Sequence, residues 1–244
     1  MRIALISDIH ANLPALEAVL KDIRSLGTDQ IIFLGDAATN GPHPKETLDL
    51  LQALNCVCIL GNHDAAMLEP ARASELQIAA SILPTLEWSL GHLSETNFKF
   101  LHTFRPNHKV KFDDALTLLC FHASPRSNTE LILSTTADEN LSGILSGRSE
   151  QILTGGHTHI QMFRQHEEQV IINPGSVGNA FVAAYIPGGE TPRLLPWAEY
   201  ALINAENGGW SADLHRVQFD TKAVQQAVVA GDNPSREWWL AQYR

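Results

Sequence analysis

Within its first 64 residues the chain alternates between short apolar runs and helical periodicity, and each apolar run stops at residues able to bind a cation. Residues 3–6 are too short and too uniformly apolar for a surface helix, and Asp8-Ile9-His10 follows them. Leu13, Leu16, Val19, Leu20 and Ile23 then recur at three- and four-residue steps until Gly27, which is the spacing of an amphipathic helix. Residues 31–34 repeat the apolar run and end at Gly35-Asp36; Leu48, Leu51 and Leu54 mark a second helix; residues 57–60 end at Gly61-Asn62-His63-Asp64. Runs apolar on both faces, separated by helices, predict a parallel-type sheet covered by helices.

Beyond this unit, residues 65–104 are helix-rich, with a stripe of Leu76, Ala79, Ala80 and Leu83 closed by Pro84. They predict a helical insertion, packed against the sheet or lying as a lid over a pocket. Strands are expected at 110–112, 116–121, 151–154, 170–172, 200–204 and 215–219, with a helix at 137–145, so the second half reads as more antiparallel. Residues 183–197 read as a loop-like insertion, and Asp232-Asn233 before Pro234 as a helix start. No linker, repeat or charge block divides the chain. One α/β domain over 1–244 is expected, with the insertion at about 65–104 and a C-terminal extension at about 181–244.

Seventeen Lys and Arg against 27 Asp and Glu give a net charge of −10, which argues against long nucleic acids and anionic membranes as partners. Taken alone, it would also repel a phosphate-bearing substrate. Cys56, Cys58 and Cys120 are too few for a disulfide framework, and Cys56 and Cys58 alternate as two small side chains on one face of a strand. With no apolar run near the roughly 20 residues of a membrane span and no signal-peptide pattern, the expected location is cytoplasmic.

The run ends carry the chemistry. Asp8 and His10, and His157 and His159, are pairs two residues apart, which extended backbone would point to one side. Asp36, Asn62 and His122 close three other runs. A lone D-x-H or G-N-H is most often a cap or a turn, but their joint occurrence at successive run ends is a ligand set. Carboxylate, amide oxygen and imidazole suit Mn, Fe, Co, Ni or Zn. The set contains no thiolate of the kind that structural zinc favours. Seven ligands are too many for one tetrahedral ion and fit two ions sharing a carboxylate. Such a pair can clamp a phosphoryl group and generate hydroxide near neutral pH.

Ser7-Asp8-Ile9-His10-Ala11-Asn12, Gly35-Asp36, Gly61-Asn62-His63-Asp64, His122-Ala123-Ser124-Pro125, Gly156-His157-Thr158-His159 and Asn173-Pro174-Gly175-Ser176-Val177-Gly178 together resemble the blocks of the calcineurin-like metallophosphoesterases, in particular the small bacterial and archaeal phosphodiesterase branch. The resemblance implies a sandwich of two β-sheets flanked by helices, in four layers, with metals at one edge. It assigns Asp8, His10 and His159 to one metal, Asp36 to both, and Asn62, His122 and His157 to the other. His63 matches the residue beside the scissile phosphate, and Asp64 stands next to it as a candidate partner for its imidazole. Manganese is the foremost metal, with Fe, Zn, Ni, Co and Mg as alternatives.

One departure bears on substrate. Phosphoprotein phosphatases of the family carry Arg where this chain has Asn40, and an amide lacks the charge and fork of guanidinium. Asn40, His43 and Arg126 are the candidate substrate-binding residues, Arg126 as an alternative phosphate contact and His43 as a pocket residue. The expected function is therefore hydrolysis of a small phosphodiester or phosphomonoester, the diester favoured, by hydroxide generated at the metals. A protein phosphatase, a dinucleoside-polyphosphate hydrolase and a non-catalytic scaffold are the alternatives; the scaffold is disfavoured because no key position is replaced. Oligomeric state is left open. His92, His102, His108, His166 and His215 lack ligand spacing, and Trp238-Trp239 is expected to anchor the final helix. Two divalent cations would make the local field positive, so the −10 balance no longer opposes a small phosphate substrate.

Overall fold

A computed structural model describes residues 1–185 and 189–243. The first unit comprises β1 (Arg2–Ile6), α1 (Leu13–Leu26), β2 (Gln30–Phe33), α2 (Pro44–Leu54) and β3 (Val57–Cys58). Helices α3 (Asn62–Leu68), α4 (Leu83–His92) and α5 (Glu95–Leu101) follow. The second half holds β4 (His108–Lys111), β5 (Thr117–Cys120), α6 (Asp138–Ile144), β6 (Ile152–Thr154), β7 (Met162–His166) and β8 (Gln169–Asn173). The chain then runs through β9 (Trp197–Glu206), β10 (Gly209–Gln218), α7 (Thr221–Ala230) and α8 (Arg236–Ala241).

These strands form two five-stranded sheets, ordered β10-β9-β1-β2-β3 and β4-β5-β6-β8-β7. β1, β2 and β3 are mutually parallel, with Ile3 opposite Gln30 and Phe33 opposite Cys58. β5, β6 and β8 are also parallel, whereas β4, β7, β9 and β10 join antiparallel at the flanks. Both sheets are thus mixed. The C-terminal residues are more than an extension, because β9 pairs directly with β1 and completes the first sheet.

The uniform apolarity of the strands now has its reason. Ile3 and Leu5 of β1 pack into a layer between the sheets with Ile32, Leu118, Cys120, Ile152, Ile172 and Ile203, while Ala4 and Ile6 face the helices with Leu16, Val19 and Leu48. On the far side of the second sheet, Leu119, Leu153 and Ile171 pack against Leu141 and Ile144 of α6. Every central strand is covered twice, giving helix, sheet, sheet and helix layers. Among the described residues no helix is long and apolar enough to cross a membrane.

The stripe through residue 83 is not a helix. Turns and a 3₁₀ turn at Ala80–Ile82 take its place, after an earlier 3₁₀ turn at Pro70–Arg72. The carbonyl of Leu76 accepts from the Asn62 side chain at 2.9 Å, and Gln77 is left-handed at φ 57°, so helical hydrogen bonding cannot continue. Pro84 does not break a helix; it sits in the first turn of α4, where its missing N–H is harmless. The final helix begins at Arg236, two residues after Pro234. Cys56 and Cys58 are free thiols on one face, with sulfurs 3.8 Å apart.

Candidate active site

Five of the six parallel strands deliver a ligand-type residue at the carboxyl end: Asp8 after β1, Asp36 after β2, Asn62 after β3, His122 after β5, and His157 and His159 after β6. The pairs are not extended, as alternation suggested. Asp8, His10, Asp36, His157 and His159 have φ of 53°, 48°, 65°, 65° and 57°. Left-handed backbone at non-glycine residues costs of order 1–3 kcal/mol each and persists only where surroundings impose it. Here the surroundings are hydrogen bonds: Asp8 N–H donates to Gly35 O at 2.9 Å, His10 N–H to Asp36 O at 3.0 Å, and His157 N–H to Asp8 Oδ2 at 3.0 Å. Gly61 lies against Asp36 so closely that a Cβ there would collide with the carboxylate.

The imidazoles are aimed by their outer nitrogens. His122 Nδ1 lies 2.7 Å from Leu34 O, and His159 Nδ1 lies 2.8 Å from Asn179 O. A carbonyl only accepts, so both rings are protonated at Nδ1 and turn Nε2 inward. His159 Nε2 lies 3.1 Å from His10 Nε2 and 3.4 Å from Asp8 Oδ1. His122 Nε2 lies 3.5 Å from Asp36 Oδ2 and 3.2 Å from Asn62 Oδ1. The Asn62 amide spends its nitrogen on Leu76, which leaves its oxygen for the cluster. Asp8 Oδ1 is buried without a hydrogen-bond donor.

Two sets, Asp8 with His10 and His159, and Asp36 with His122 and His157, bring candidate ligand atoms within 4.8 Å of one another. A third set, His10 with Asp36 and His63, lies between them. Converging acceptors without donors are what a cation site requires, so these residues fit divalent metal. The charges agree. Burial pushes the Asp8 carboxyl up, but His159 and His122 outweigh it and bring it to about 2. Burial, with His122 alongside, holds His157 down at about 3, so it is neutral and free to coordinate. Burial opposes protonation of His122, yet Asp36 lifts it to about 9.

His63 and Asp64 do not pair. The Asp64 carboxylate accepts from the backbone N–H groups of Asp36 at 2.7 Å, Ala37 at 2.8 Å and Gly61 at 3.0 Å, stapling two ligand loops together. His63 instead meets Thr39, Nδ1 to Oγ1 at 2.9 Å, and the same hydroxyl lies 3.3 Å from His10 Nδ1. Thr39 is a residue that sequence reasoning missed; a hydroxyl three residues past Asp36 carried no signal of its own. The other histidines outside the blocks lie away from the site. Of the candidate substrate residues, Asn40 faces the site and His43 and Arg126 do not. His43 precedes the first turn of α2, its N–H bonded to Ala11 O at 3.0 Å. Arg126 is exposed and paired to Glu130 at 2.5 Å, on a different surface.

The calcineurin-like phosphoesterase superfamily model matches residues 1–186. The chain belongs to that superfamily. Its members are hydrolases acting on phosphate esters, and divalent metals are general among them. The metallophosphoesterase of Sphaerobacter thermophilus is similar in structure, with a TM-score of 0.74 at 25% identity, covering 99% of this chain and 98% of that one. An uncharacterised protein of Methanocaldococcus jannaschii is 27% identical over 97% of this chain and 94% of its own length. A symmetrical bis(5'-nucleosyl)-tetraphosphatase of Pseudomonas syringae is 34% identical over 79 residues, 31% of this chain and 27% of its own.

The calcineurin-like centre opens into a cavity of about 230 Å³. His10, Asp36, Asn62, His63, His157 and His159 line its polar end; Asn40 and Asn179 stand beside them. Its other walls come from outside the sequence blocks: Gln77, Ala79, Ser81 and Ile82 of the insertion, Phe181, Tyr185 and Thr191, and Ser235, Trp238 and Trp239. Both the helical insertion and the 183–197 segment therefore border the site, although residues 186–188 of the latter, with Pro187 and Gly188, lie outside the described residues. The tryptophan pair divides its duties. Trp239 is the anchor, fully buried with Leu194, Val224 and Val228, while half-buried Trp238 lines the cavity.

Proposed function

We propose that this chain hydrolyses a small phosphodiester or phosphomonoester, diesters preferred, at a centre of two divalent cations, manganese foremost. Asp8, His10 and His159 would hold one, Asn62, His122 and His157 the other, and Asp36 both. The observation that carries this reading is the convergence of the Nε2 atoms of His10 and His159, 3.1 Å apart, beside Asp8 Oδ1, which is buried without a hydrogen-bond donor. Cations bound there would lower the pKa of a water molecule and neutralise phosphoryl oxygens.

The chain's own residues supply the rest. A His10 that gives Nε2 to a cation keeps its proton on Nδ1 and donates it to Thr39 Oγ1. The Thr39 hydroxyl then donates to His63 Nδ1, which leaves His63 Nε2–H as a donor at the polar end of the cavity for the leaving oxygen. Asn40 offers an amide where a guanidinium would grip a dianionic monoester, so the singly charged diester is the better match.

The test is metal-reconstituted protein assayed with methyl p-nitrophenyl phosphate, a diester with a single ring, and p-nitrophenyl phosphate. Turnover is expected with both, and faster with the diester. Asp36→Asn should lose metal; His63→Ala should keep metal and lose most of its turnover. Folded, metal-loaded protein that hydrolyses neither ester would overturn the reading.

A further inference from the structure

We propose that the aromatic wall of the cavity is a subsite for one planar aromatic group, so that the substrate is a phosphate ester carrying a single ring system and no second phosphate. This rests on the phosphoesterase reading above and names its substrate class. The cavity has a mixed lining. Carboxylate, amide and imidazole groups of the ligand cluster share it with an apolar set of Trp238, Tyr185, Phe181 and Ile82.

The aromatic wall is held in place. Phe181 stacks on His159, with ring centroids 4.5 Å apart and planes at 21°. Trp238 meets Trp239 edge to face at 5.1 Å, and Trp239 is fixed by burial and by its Nε1–H donating to Asn40 O at 2.9 Å. Half-buried aromatic rings beside a polar centre form a stacking platform, and such a platform accepts any flat π-face. A volume of about 230 Å³ is small beside the roughly 300–1,000 Å³ of sites for drug-sized ligands. It suits one ring and a phosphoryl group rather than two nucleosides or a peptide.

Charge sets the second half of the proposal. Among the described residues lining the cavity there is no Lys and no Arg. A phosphate beyond the metal centre would enter a partly buried space with no cation to meet it, which is costly. The cavity therefore selects against polyphosphate esters, including the class processed by the Pseudomonas tetraphosphatase that shares 79 aligned residues.

The experiment is calorimetric titration of metal-loaded protein with non-hydrolysable or slowly hydrolysed ligands: methylphosphonate, phenylphosphonate, adenosine 5'-monothiophosphate and adenosine 5'-(α,β-methylene)diphosphate. Ring-bearing monophosphoryl ligands should bind roughly ten- to hundred-fold tighter than methylphosphonate. Trp238→Ala should remove most of that preference and Trp238→Phe should keep it, both with metal content unchanged. Tyr185→Ala, outside α8, gives the same readout should loss of Trp238 unfold that helix. A tighter nucleotide than phenyl ligand identifies a nucleobase as the ring; equal affinities identify a simple aryl group. Equal binding of methyl- and phenylphosphonate, a ring preference that survives both alanine variants, or a ten-fold gain from the second phosphate would overturn the subsite. Aryl esters left intact by protein that still prefers rings would overturn the phosphoesterase reading alone.

Discussion

Thr39 sets the protonation pattern of two imidazoles with one hydroxyl, 3.3 Å from His10 Nδ1 and 2.9 Å from His63 Nδ1. A hydroxyl has a single proton, so it can donate to one of the two rings and can only accept from the other. Thr39→Val should lower kcat about ten- to hundred-fold, the usual cost of losing an orienting partner, with KM and metal content kept and Thr39→Ser restoring the rate. Steady-state kinetics with metal analysis checks it. Asp64 acts differently, since all three of its donors are backbone N–H groups of the ligand loops. Asp64→Asn turns an acceptor into a donor facing a donor. It should cost about 1–3 kcal/mol of stability, visible in thermal unfolding, without breaking the Thr39–His63 contact.

At the scale of the element, α8 is the least conspicuous segment and among the more consequential. Trp239 fills the small core beneath it and bonds the carbonyl of Asn40. Trp239→Ala should cost about 3–5 kcal/mol, as for large aromatic truncations, measured by denaturant unfolding, and should shift Asn40. The elements that sequence made legible are those whose pattern is strong: β1, α1, β2 and α2 each carry three or more apolar positions. β7 was not legible, because an edge strand with buried ends and a polar centre, Met162-Phe163-Arg164-Gln165-His166, has no apolar run. Nor was α7, which buries only Val224 and Val228. Among site residues, the convergence of the candidate ligands was legible from strand-end position. Arg126 and His43 were misplaced because adjacency to a block says nothing about where a side chain turns: Arg126 folds back on Glu130, four residues on. Left-handed backbone at the ligand pairs was hidden because it is imposed by hydrogen bonds from distant loops.

For the whole molecule, the candidate centre joins the two sheets. Asp8, His10, Asp36 and Asn62 follow strands of the first, and His122, His157 and His159 follow strands of the second. Cations there should stabilise the fold by about 2.7 kcal/mol at a hundred-fold excess over Kd, raising Tm by roughly 5–10 °C for a chain this size. The sign of the pH dependence follows from His122, which Asp36 lifts to about 9 against burial in the metal-free protein. Its proton must leave before a cation enters, so the Tm gain should shrink as pH falls from 8 to 6. Differential scanning calorimetry with and without manganese checks both.

His10 and His159, adjacent in space, are 149 residues apart in sequence. No early, locally formed intermediate can hold both, since closing so long a loop requires that the intervening strands have already paired. A cation site built from both is therefore expected to form late, after the two sheets have met. Cations bound there should slow unfolding more than they hasten folding, lengthening the lifetime of the native state, which unfolding and refolding rates with and without manganese check.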